Sequence, residues 1–184
     1  MRAKYVIVTV IAAAVVAGCG DDHVTRPNIP TPSPYPVLLN PYAVLDALRI
    51  AYQNKDTLEM KVLYHDQYDG TSIDNTDAVP TLLHFTKADE VAHVVALARS
   101  TAIGSITVFA APNSQRYDDS ADPVGWATID NPYMTIEISD ATATHLVDVA
   151  HIAMKFKFIP TTPAPSSSTD TTWKIIRWTE VRNP

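Results

Sequence analysis

Cysteine is nearly absent from these 184 residues: Cys19 stands alone, so no disulfide can form within the chain and stability must come from a hydrophobic core. Glycine is almost as scarce. Gly18, Gly20, Gly70, Gly104 and Gly125 are five scattered residues, and no phosphate-cradling or dinucleotide-binding loop can be assembled from them. There is no serine-nucleophile elbow and no Ser-x-x-Lys, which argues against hydrolase chemistry. The histidines, His23, His65, His84, His93, His145 and His151, include no i, i+4 pair around a helical acid, and none has a second cysteine nearby, so no metal site is expected. No cofactor is implied either. Basic residues are in the minority, with 14 Lys and Arg against 20 Asp and Glu. An acidic surface is repelled by phosphate backbones and anionic headgroups, so nucleic acid is not an expected partner.

What the chain does have is an address. Arg2 and Lys4 precede an uncharged run from Tyr5 to Ala17, followed by Val16-Ala17-Gly18-Cys19. A membrane-spanning helix needs roughly 20 apolar residues, so this run is too short to anchor by itself. It reads as a secretory signal peptide over residues 1–18 that ends in a bacterial lipobox, with Cys19 the thiol to be acylated. The alternative is a plain signal peptide cut near Ala17 or Gly18, which would leave Cys19 as an unpaired thiol in an oxidising compartment. Two or three acyl chains, at about 0.8 kcal/mol per buried methylene, hold where one binds only reversibly. The expected partner is therefore the lipid bilayer, and the expected location the extracytoplasmic face of the cell envelope. Gly20 rather than aspartate after the cysteine points towards the outer membrane. Loss of residues 1–18 removes Arg2 and Lys4 and no acid, taking the net charge from −6 to −8.

Residues 19–39 read as a tether. Pro27, Pro30, Pro32, Pro34 and Pro36, with Pro41 just beyond, remove backbone donors and favour extended polyproline geometry. Asn40-Pro41 is a helix start, an N-cap followed by proline at the first helical position. Val44, Leu45, Leu48, Ala51 and Tyr52 then share one face. Asn54-Lys55-Asp56 interrupts, and Asp56 with Glu59 resembles a capping arrangement for a short second helix carrying Leu58, Val62 and Leu63. Gln67 to Ile73 is a strand weakened by Gly70. Thr86 with Asp89 and Glu90 opens a third helix lined by Val91, Val94, Val95 and Ala98.

Beyond Gly104 the pattern turns to period two with β-branched residues. Strands are predicted over Ser105 to Ala111, Gly125 to Ile129 and Tyr133 to Ser139, with a polar loop from Pro112 to Pro123. His145 to Ile159 is one bent strand or two short ones, and Thr172 to Val181 the last strand, joined by the Pro-, Ser- and Thr-rich stretch Pro160 to Asp170. Three N-terminal helices followed by about five or six mainly antiparallel strands make an α+β domain, with the helices packed on a curved sheet.

Two phrases carry a likeness. One is Leu48-Arg49-Ile50-Ala51-Tyr52-Gln53-Asn54-Lys55-Asp56, leading on to Leu63-Tyr64-His65-Asp66-Gln67-Tyr68; the other is Trp173-Lys174-Ile175-Ile176-Arg177-Trp178-Thr179-Glu180. With the order of elements, they make residues 40–182 resemble the nuclear transport factor 2-like, cystatin-like α+β roll, and the closing strand is similar to that of secreted, lipobox-bearing members. The resemblance implies a cone-shaped fold enclosing a pocket, with Tyr52, Tyr68, Asp148 and Trp178 as pocket candidates. It implies dimers formed through the sheet, and, in some members, isomerase, dehydratase or cyclase chemistry on an Asp/His pair. Others only bind, so fold does not settle function.

Among candidate catalytic residues, Asp148 shares strand parity with Leu146, Ala150, Ile152, Met154, Phe156 and Phe158, where desolvation would raise its pKa. A bulge near Val149-Ala150 would instead turn it outward. His65-Asp66 is a dyad or a solvated helix end. His145 and His151 share parity with Val147, Val149, Lys155 and Lys157, the mixed pattern of a half-solvated face. In the last strand Trp173 and Ile175 oppose Ile176 and Trp178 in parity, so both faces are apolar, and a second subunit could cover one of them. Three functions are compatible with all this: a non-enzymatic module binding a small apolar ligand or an envelope protein, a pocket isomerase or lyase with an Asp or His base, and a structural envelope protein.

Overall fold

The computed structural model describes residues 32–76, 78–110, 114–130, 134–147, 152–161 and 171–183. The chain divides into Met1–Pro32 and Ser33–Pro184, and the described architecture belongs to the second unit. Cys19 lies outside the described residues.

Helix α1, Pro41–Asn54, begins as its sequence predicts: the Asn40 side chain accepts from the Ala43 N–H at 3.0 Å and Pro41 occupies the first turn. Val44, Leu45, Leu48, Ala51 and Tyr52 are buried along it. The helix stops because Lys55 adopts the left-handed region at φ 54°, and its backbone N–H returns to the Tyr52 carbonyl. Helix α2, Thr57–Leu63, is capped by Asp56, whose carboxylate accepts from the N–H groups of Leu58 and Glu59. This is half of a capping box, since the Asp56 N–H donates to the Ala51 carbonyl instead. Seven residues offer only one inward stripe, filled by Met60 and Leu63; Leu58 and Val62, expected inside, are exposed. Helix α3, Lys87–Arg99, opens on a complete Thr86/Asp89 capping box. Val94 and Glu90 are buried on it, whereas Ala98, expected on the inner side, is exposed.

The strands form two sheets. Six of them, β1 Tyr64–Asp74, β2 Thr81–Thr86, β4 Arg116–Tyr117, β5 Ala127–Asp130, β8 Ile152–Thr161 and β9 Thr172–Arg182, lie in the order β2-β1-β9-β8-β5-β4. Strands β1 and β9 pair in parallel and every other neighbour is antiparallel. The rest, β3 Ile103–Ala110, β6 Met134–Asp140 and β7 Thr144–Val147, make an antiparallel sheet ordered β3-β6-β7. The architecture is α+β, three helices with a mixed, mainly antiparallel sheet. The stretch from His145 to Ile159 resolves into two strands because its halves find partners in different sheets: β7 pairs with β6, and β8 with β5 and β9. Asp148 and His151 lie outside the described residues. Strand β2 was not expected, because Leu82-Leu83-His84-Phe85 has neither strand alternation nor helical spacing; its pairing with β1 decides it.

One irregularity corrects the reading of β9. Phe156 faces Trp178 and Phe158 faces Ile175, so two residues on β8 oppose three steps on β9, and Ile176 is the extra residue of a bulge. Ile175 and Trp178 therefore sit on the same side as Phe156 and Phe158. The two apolar parities come from this shift, not from a strand that needs cover on both faces. The core comprises that side together with Val44, Leu48, Tyr64 and Ile129, all fully buried. On the outer face Lys157 bridges Asp119 at 3.1 Å and Asp122 at 2.7 Å, pinning the loop before β5 to β8. The packed unit begins before Asn40: the Tyr35 hydroxyl donates to Asp56 at 2.8 Å, and the Trp173 N–H donates to the Leu38 carbonyl.

Candidate functional site

Between α3, strands β1 and β9, and the isoleucines of the smaller sheet lies a cavity of about 590 Å³. Ile106, Ile136, Ile138, Leu97 and Phe85 supply apolar wall, Tyr52, Tyr68 and Trp178 aromatic wall, and Glu90, Glu180, His84 and His93 the titratable groups.

Its polar centre starts from helix geometry. Glu90 falls one residue past the Thr86/Asp89 cap and turns inward, where it is 9% exposed. The Tyr68 hydroxyl donates to its Oε1 at 2.7 Å. Burial raises the Glu90 pKa, and the Tyr68 hydrogen bond partly opposes that rise. Tyr68 is in turn held above its ordinary value by burial and by the Glu90 charge. Gly70 makes the arrangement possible. A Cβ there would lie 2.4 Å from the Tyr68 hydroxyl, so the phenol lies across space that only glycine leaves open. What looked like a weakness in the strand is the seat of a side chain.

Glu180 approaches from the sheet. It sits opposite Met154 on β8 and Ser72 on β1, two residues beyond Trp178. Among the described residues no hydrogen-bond or ion-pair partner compensates it. Burial pushes its pKa up to about 7, with the Glu90 charge adding to the rise. His93, one turn after Glu90, stands at the mouth with its outer side in solvent and its ring edge-on to Tyr52, centroids 6.3 Å apart. Desolvation on its inner side lowers its pKa, which favours the neutral imidazole. His84 pairs with Asp69 at 3.5 Å on the rim. The Trp178 indole nitrogen is buried without a partner among the described residues. Among the described residues no three His, Cys, Asp or Glu side chains converge as a metal ion would require.

Of the residues singled out in the sequence, Tyr52, Tyr68 and Trp178 line this cavity. His65 does not: its Nδ1 accepts from the Gln67 N–H at 3.1 Å, and Asp66 is bound to Lys87 at 2.7 Å. Both residues stand at the start of β1, and neither lines this cavity. Asp148 lies outside the described residues. Glu90, Glu180 and His93 were missed. Glu90 was absorbed into the helix-start pattern, and the parity of Trp178 extended by two residues would have found Glu180.

No protein-family model and no curated protein sequence matches this chain. Solved structures do resemble it. A conserved protein from Planctomyces limnophilus superposes with a TM-score of 0.50 at 13% identity, over 78% of this chain and 93% of that one. A nuclear transport factor 2-like protein of unknown function in nutrient uptake from Rhodospirillum rubrum gives 0.49 at 11% identity, over 79% and 99%. A nuclear transport factor 2-like protein with a cystatin-like fold from Novosphingobium aromaticivorans gives 0.47 at 12%, over 76% and 77%. At such identities the likeness is one of fold alone: the chain shares its fold with the Planctomyces limnophilus protein and is similar to solved nuclear transport factor 2-like and cystatin-like structures.

Proposed function

We propose that this protein is a lipid-anchored, extracytoplasmic module that holds a small organic ligand in the cavity of its roll. The observation that carries this reading is the cavity itself. Its volume of about 590 Å³ falls within the range of roughly 300–1,000 Å³ usual for small-molecule sites. Its walls are mostly apolar with a few convergent polar groups. Phe156 and Phe158 are packed in the core and do not line it, so the space stays open, which speaks against a purely structural role. The test is uptake of phenylnaphthylamine, an uncharged apolar fluorescent probe, by the full chain. One molecule should bind per chain, and Ser72→Trp, which fills the space beside Glu180, should abolish uptake while leaving the far-ultraviolet dichroism unchanged. Uptake that survives this substitution would refute the reading.

A second reading, a proton-transfer enzyme of the isomerase or lyase kind, is favoured by one observation: a carboxylic acid with a pKa of about 7 in a desolvated cavity suits a general base at neutral pH. The base would then be Glu180, with Tyr68 as a candidate hydrogen-bond donor. Homodimerisation through the sheet is a separate proposal, and light scattering of the domain tests it; the bulge in β9 has removed the two-faced strand as a reason for it.

A further inference from the structure

We infer that the ligand this cavity takes is an organic cation, an amine or ammonium group carried on an apolar or aromatic body. This rests on the reading of the cavity as a small-ligand site and specifies its charge.

Three observations converge. Two carboxylates, Glu90 and Glu180, enter the same cavity from different elements, a helix and a strand, and among the described residues no Lys or Arg side chain lines it. A wall with that composition sets up a negative potential inside a low-dielectric space, where a single charge acts more strongly than it would in water. Second, Glu180 lacks a counter-charge among the described residues. A half-buried carboxylate with no partner is either protonated or waiting for a cation, and its position near pH 7 leaves it poised between the two. Third, the rings of Tyr52, Tyr68 and Trp178 line the same space. Aromatic faces attract ammonium and guanidinium groups, more strongly when the site is desolvated.

The other titratable groups on the wall do not cancel this field. Asp89 adds a further acid from α3. His93 is held towards its neutral form, and His84 is paired with Asp69. Tyr52 and Tyr68 both have pKa values raised by burial, so they stay uncharged. An anionic ligand would meet these acids with no Lys or Arg among the described lining residues to compensate them. A neutral ligand would fit the apolar wall but leave Glu180 unpaired.

The experiment is displacement of phenylnaphthylamine from the full chain at neutral pH by three probes of one shape: phenethylamine, phenethyl alcohol and phenylacetate. Phenethylamine should displace the dye about tenfold or more better than the alcohol, the scale of a charge-assisted hydrogen bond to a carboxylate, and phenylacetate should be weakest. Glu180→Gln should erase the preference for the amine while the alcohol's affinity stays within about twofold; Glu90→Gln serves as a second variant with the same expected direction. Equal displacement by amine and alcohol, or a preference for phenylacetate, overturns the cation assignment while the ligand-site reading stands. Failure of the dye itself to bind overturns the ligand-site reading instead.

Discussion

Gly70, Tyr68 and Glu90 form one mechanical unit, since the phenol reaches the buried carboxylate only by crossing a residue without a side chain. Gly70→Ala should destabilise the protein by about 1–3 kcal/mol through overpacking, and in a Tyr68→Ala background the same change should cost much less. A double-mutant cycle from urea melts measures this, and additive costs would break the link. Glu180 makes a prediction of opposite sign to that of a paired carboxylate. Its folded pKa of about 7 lies above its unfolded value, so between roughly pH 4.5 and 7 the folded state holds a proton that the unfolded state has lost. That contribution is intact at low pH, declines as pH rises through this window and is absent above it. Glu180→Gln should therefore flatten the fall in melting temperature from pH 5 to pH 7. Variant and parent curves that run parallel would contradict the assignment.

Elements differ in how far sequence alone reaches them. The caps at Asn40, Asp56 and Thr86 were legible because cap chemistry is local, a side-chain oxygen meeting backbone donors two or three residues away. Strand β2 and the division between β7 and β8 were not, because distant partners decide them. The bulge at Ile176 hid the most. It shifts parity within a strand, and no local signal distinguishes that shift from a strand with two apolar faces. The tyrosines and tryptophan of the cavity came from likeness to a fold, while Glu90 was read as part of a helix start and Glu180 drew no reading of its own. The bulge yields a further expectation: deleting Ile176 forces either Trp173-Ile175 or Trp178 off the core side. The loss should be on the scale of removing a buried aromatic, about 3–5 kcal/mol, whereas Thr179→Ala should cost far less. Thermal melts of the two variants would decide it.

For the whole molecule the governing proposal is the anchor. Cys19→Ser should shift the mature protein from the membrane pellet to the soluble extracytoplasmic fraction, and fractionation with immunoblotting reads this directly. Continued sedimentation with membranes would mean that something other than acyl chains retains it. None of the helices in the described part of the chain is long and apolar enough to cross a bilayer.

The seam of the larger sheet has a temporal meaning. Strand β9 joins β2-β1 to β8-β5-β4, yet it is the last of these strands to leave the ribosome. Until Thr172–Arg182 arrives, the described strands of the two halves share no ladder with each other, so this sheet cannot close early. For a chain exported as proposed above, that delay would keep the sheet open during translocation.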